Sequence, residues 1–217
     1  MDLAIKQIIS KAVISDRVID IFAAAGLKKP NISILSDEFL NFVKVMPQKN
    51  LVFEALKKLL MDEIRIRRKK NLIQARSFEA LLDKAIKAYT NRSVEAAEIV
   101  QQLIELAKKM REEQKRGTQL NLTEEEVAFY DALADNESAK EVLGDTTLKM
   151  MAHELVEMIR KNVTIDWTLR DNVQANLRVK VKHLLKKYKY PPDKQQKATD
   201  TVLDQAKLLC KDWAENQ

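Results

Sequence analysis

The chain has 217 residues, 46% of them hydrophobic and 32% charged, which is enough for a sizeable buried core under a heavily charged surface. Only 3 Gly and 4 Pro occur; strand turns and loops consume those residues, so their scarcity argues for long helices joined by short connections. The single cysteine, Cys210, excludes an internal disulfide, the first residues lack a basic signal-peptide region, and no apolar stretch nears the roughly 20 residues that cross a bilayer. A reduced, cytoplasmic setting without a membrane is the expectation.

Apolar residues at Ile5, Ile8, Ile9, Ala12 and Val13, then Val18, Ile19, Ile21 and Phe22, predict a helix over 3–24 that ends at Gly26 before Pro30. Residues 31–35 form a connector, so 1–35 is read as an N-terminal helix and connector and 36–217 as the helical domain proper. Ser36 is placed to cap a short helix through Val45. Pro47 ends that helix or opens the next, a long one over 49–70 with Leu51, Ala55, Leu59 and Ile66 near one face. Its terminal basic run, Arg65 to Lys70, complements the negative end of the helix dipole.

Phe78, Leu81, Leu82, Ala85 and Ile86 predict a helix over 77–90. Val94, Ala97, Val100, Ile104, Ala107 and Met110 predict another over 93–115, closed by Gly117. Thr123 and Glu126 form a capping box for a brief helix ending near Leu133. A second short helix over 136–143 precedes one over 146–161 that Asp145 can cap. Thr168 can cap 169–188, whose buried stripe is Val173, Leu177, Val181, Leu184, Leu185 and Tyr188. After Pro191 and Pro192 a last helix is apolar at Ala198, Val202, Ala206, Leu209, Cys210 and Trp213. Residues 162–165 are the one plausible extended piece. These periods predict an all-α bundle of roughly eight to ten helices, with a candidate boundary between two sub-bundles near 117–122.

The net charge of +6 is unevenly placed. Residues 57–76 carry +6 and residues 170–197 carry +7, which leaves −7 on everything else. Basic faces on an acidic remainder suit phosphates or an acidic protein surface, and they are also what an ordinary solvated helix face looks like. In the second segment Arg170, Arg178, Lys182 and Lys186 recur at multiples of four and line one helix face. Lys187 and Lys189 extend the charge, with Tyr188 and Tyr190 interleaved. Phosphate contact needs such clustering, because each neutralised phosphate releases counterions. These six basic residues are the candidate contact surface for nucleic acid or a partner.

No catalytic, cofactor or metal set assembles. The run Leu59 to Glu63 resembles the apolar–Asp–Glu signature of nucleotide-hydrolysing motors, but it lies in a helical period, and no Gly-rich phosphate loop accompanies it. His153 and Glu154 begin like a zinc-protease helix, yet position 157 is Glu where a second His is needed. Cys210 shares the apolar face with Ala206 and reads as packing.

Several runs resemble the C-terminal helical region of the restriction (R) subunit of type I restriction–modification enzymes. They are Ile32 to Leu40, Met46 to Leu51, Ala128 to Leu133, Arg160 to Trp167 and Tyr190 to Lys194, in an order and spacing covering about residues 14–214. Lys189 departs from the family pattern, which has Gly before Tyr190. The resemblance implies that the parent subunit holds a nuclease domain and two ATP-hydrolysing motor domains elsewhere, with ATP and Mg bound there. It also implies that Met1 is a cloned or truncated start, that the subunit assembles with modification and specificity subunits, and that this tail docks it to the methyltransferase core. The leading expectation is a non-catalytic assembly module. The alternative is a sequence-independent element that contacts the backbone of double-stranded DNA through residues 170–197, and a third reading is a free-standing helical adaptor.

Overall fold

The computed structural model describes residues 36–162 and 171–215. Among them are eight α-helices and no strand: α1 (Asp37–Val45), α2 (Lys49–Arg68), α3 (Leu72–Thr90), α4 (Ala96–Leu120), α5 (Glu124–Ala134), α6 (Glu137–Asn162), α7 (Asp171–Lys187) and α8 (Gln195–Glu215). A 3-10 turn, Pro192–Lys194, leads into α8. The all-helical expectation therefore holds. The helix expected over 3–24 and the extended piece at 163–165 lie outside the described residues, as does Thr168. No helix among the described residues is long and apolar enough to cross a membrane.

Local chemistry sets most of the helix ends. The Ser36 hydroxyl accepts a hydrogen bond from the Phe39 N–H at 3.2 Å and starts α1. Thr123 and Glu126 form the full reciprocal box that starts α5, at 2.7 and 3.2 Å. Gly144, at φ 71° and ψ 164°, breaks α6 into the two helices expected from the sequence. Two ends differ from expectation. Helix α3 begins at Leu72, five residues earlier than its apolar stripe suggests, because the Asn71 side chain caps it by accepting from the Gln74 N–H at 3.0 Å. Gly117 does not close α4. The helix runs on to Leu120, and Asn121 in the left-handed region (φ 56°) ends it, with the Leu122 N–H returning to the Gly117 carbonyl at 2.9 Å.

The buried apolar side chains form two clusters. Phe39, Leu40, Phe53, Leu56, Phe78, Leu103 and Met110 are central to the one built by α1–α4. Phe129, Leu133, Met151, Leu155, Leu185, Tyr190 and Val202 are central to the other, built by α5–α8. The expected face of α2 is corrected by its packing. Val52, Phe53, Leu56, Leu60 and Ile64 point inward, Leu51, Ala55 and Leu59 are only half-buried, and Ile66 is 58% exposed. Phe53 decides that rotation, stacking on Tyr89 with ring centroids 3.7 Å apart. On α4 the expected stripe is buried from Val100 onward, but Ala97 is exposed.

The two clusters meet where α3 contacts α5 and α8, and where α4 contacts α5. That seam is polar and fully bonded. Asp131 accepts from Asn71 at 2.7 Å and pairs with Arg116, which also pairs with Glu113 at 2.8 Å. Fully buried Gln205 on α8 receives the Leu72 N–H and donates to the Lys70 carbonyl, both at 2.8 Å. One side chain thereby serves two backbone groups left open by the α2–α3 turn. Arg67 is buried for a similar reason: its guanidinium bonds Glu63, Gln74 and the Met110 carbonyl and lies over the Phe78 ring.

Candidate functional site

The basic stripe predicted from the sequence lies on α7, whose apolar side (Leu177, Val181, Leu184, Leu185) is buried in the second core. The opposite side carries Arg178, Lys182 and Lys186 in register. Arg170 lies outside the described residues. Some of this charge is paired with acids on neighbouring helices while staying exposed to solvent. Arg178 donates to Asp200 on α8 at 2.6 Å, and Lys187 reaches both oxygens of Glu154 on α6 at 2.8 Å. Lys197 closes on Asp135 at 3.0 Å. The Lys187 hydrogen bond holds the Glu154 carboxyl below its usual range, against the opposing effect of burial, and Glu154 in turn raises Lys187. Asp200 is lowered by Gln196 and then by Arg178. Lys182 is half-buried beside these pairs, and Lys186 and Lys189 are exposed.

The interleaved aromatics serve the fold. Tyr190 is buried and donates to the Leu133 carbonyl at 2.7 Å, with burial pushing its hydroxyl up to about 12. Tyr188 donates to Glu154 at 2.8 Å. Burial withdraws the Tyr190 ring from stacking on a base, and the Lys187 ammonium lies over the half-buried Tyr188 ring. Lys189 takes the left-handed conformation (φ 55°), and the Tyr190 N–H returns five residues to the Leu185 carbonyl at 2.9 Å. That is the helix-ending position glycine fills most readily, and here a lysine occupies it.

The other candidates fall into ordinary helical roles. Asp62 is exposed on α2, and Glu63 pairs with Arg67 at 3.1 Å. His153 meets Glu126 at 2.5 Å and Glu157 at 3.7 Å; the Glu126 hydrogen bond raises its imidazole above the ordinary value. Cys210 is buried on α8. Among the described residues no cluster of three or more His, Cys, Asp or Glu could hold a metal ion.

Sequence reasoning missed two features. One is the polar seam around Asp131, whose members are scattered over 60 residues and more of sequence and carry no common spacing. The other is a cleft of about 340 Å³ between α2 and α3. Its only sequence signal was that the basic segment 57–76 contains an apolar residue, Met61, which the core stripe does not need.

Comparison with known proteins places these features in a family. Residues 1–212 match the family model described as type I restriction enzyme HindI endonuclease subunit-like, C-terminal. The chain is 40% identical over 210 residues to the type I restriction enzyme HindI endonuclease subunit of Haemophilus influenzae, covering 97% of this chain and 20% of that protein. It is 34% identical over 184 residues to the putative type I restriction enzyme MjaIXP endonuclease subunit of Methanocaldococcus jannaschii, covering 84% and 18%. The chain thus spans about a fifth of the length of the curated relatives it matches. No solved structure gave a significant match.

Proposed function

The chain belongs to the family of C-terminal regions of HindI-like type I restriction enzyme endonuclease subunits, and from that premise we propose that it is a non-catalytic helical module that joins the subunit to its modification and specificity partners. The observation that carries this reading is identity across nearly the whole chain to one fifth of a much larger endonuclease subunit. A region of that size with its own cores is suited to holding partners. The parent subunit, on this reading, is a cytoplasmic, ATP-dependent DNA translocase and endonuclease whose ATP and Mg sites lie in other domains. The test is direct: the chain, mixed with the purified methyltransferase core of the same system, should co-migrate with it on size exclusion. Independent elution of the two would refute the proposal.

A second reading keeps double-stranded DNA as a partner, because Lys182, Lys186 and Lys189 stay on the outer side of α7 and its following turn. It requires weak, sequence-independent binding that falls steeply with salt. Changing Lys182 and Lys186 to Glu should abolish that binding. Binding indifferent to salt and to both substitutions would remove this reading.

A further inference from the structure

The cleft between α2 and α3 is floored by Ile64, Leu82 and Ile86, and Met61 stands in it 52% exposed. Its lining on α2 runs from Glu54 to Arg68, about 21 Å at 1.5 Å per residue. The lining on α3 is shorter, Glu79 to Ile86 or about 10 Å, and a trough with an apolar floor and charged walls between two helices is shaped to seat two to three turns of a third, on the order of 10–15 Å.

The two walls carry opposite charge. Lys57, Lys58, Arg65 and Arg68 outnumber Glu54 and Asp62 on the α2 side, giving +2, while Glu79 and Asp83 give −2 on the α3 side. Lys57 is held by Glu54 at 3.2 Å, and Arg68 pairs with Glu79 across the trough. Exposed Lys58 and Arg65 on one rim and exposed Asp83 on the other remain directed at solvent. Phosphate is a poor fit to such a trough, since the Asp83 rim repels it and the floor offers no donor. A protein helix fits both properties.

We propose that this trough is the docking groove for an amphipathic helix of a partner protein. The helix presents apolar side chains at three-to-four spacing to Met61 and Ile86, acidic residues to Lys58 and Arg65, and a basic residue to Asp83. The inference rests on the assembly reading and assigns its contact face to α2–α3 and not to the α7 stripe.

The experiment uses the full-length endonuclease subunit and the purified methyltransferase core. Lys58→Glu with Arg65→Glu, Asp83→Lys, and Met61→Asp should each weaken assembly on the order of tenfold or more, with helical circular dichroism unchanged because all four side chains are exposed. Lys182→Glu with Lys186→Glu should assemble like the parent. A photo-crosslinking residue at Met61 should capture a core peptide with the stated apolar and charged edges. Deleting this whole region separates the two ideas. Assembly that survives the deletion overturns the assembly reading. Assembly lost on deletion but unchanged in the groove variants overturns the groove alone, as does crosslinking to residues 1–35 or to a second copy of the chain.

Discussion

Replacing Arg116 by Met tests the seam between the two cores. Asp131 has a 9% exposed side chain and accepts from just two groups, Asn71 and Arg116. Losing Arg116 leaves a buried carboxylate with a single neutral donor, which costs about 3–5 kcal/mol. The reverse change, Asp131→Asn, leaves Arg116 a quarter exposed and still bonded to Glu113 at 2.8 Å. That substitution should cost only about 1.5–3 kcal/mol, roughly one charge-assisted hydrogen bond.

The asymmetry has a pH signature. Burial pushes the Asp131 carboxyl above its usual value despite Arg116 and Asn71. A carboxyl raised in the folded state contributes stability at low pH that is lost as pH rises through its folded pKa. The Arg116→Met penalty should therefore shrink as pH falls from neutrality toward 4, because the stranded carboxyl can take up a proton. Urea denaturation followed by circular dichroism at both pH values measures it. An Arg116→Met cost no larger than that of Asp131→Asn, or one that grows on acidification, would refute a buried, charge-dependent seam.

Lys189→Gly should stabilise the chain by about 1 kcal/mol, a rise of roughly 2–4 °C in Tm for a domain of this size, because the left-handed position is freed of its Cβ; Lys189→Ala should give no gain in the same melt. Gly117→Ala should destabilise although Ala normally favours a helix by about 1 kcal/mol, since its Cβ would sit 3.1 Å from the Leu122 carbonyl oxygen; an unchanged or higher Tm would contradict that close approach. His153 should titrate above its ordinary value in an NMR pH series, contributing stability below its unfolded pKa that is lost as pH rises through the folded one. In Glu126→Gln, which preserves the capping box but not the charge, the His153 midpoint should fall; an unmoved midpoint would rule out Glu126 as the cause.

The sequence by itself determined helix content, most helix positions and several ends, because these depend on local periodicity and on side chains within a turn of the backbone groups they serve. Ser36, Thr123 with Glu126, the break between the helices over 136–143 and 146–161, and the stripe Leu177, Val181, Leu184 and Leu185 were all legible for that reason. The resemblance carried by five short runs was legible too, and the family match supports it. Only the tertiary structure decided which way α2 faces, since Phe53 and Tyr89 stack across helices and turn Ile66 to the outside. It alone revealed that Arg67 is buried and that Gln205 closes the α2–α3 turn from more than 130 residues away. It also showed that much of the basic stripe is answered from neighbouring helices, Arg178 by Asp200 and Lys187 by Glu154. Charge can be counted along a chain, but whether it stands unpaired depends on which acids folding brings within reach.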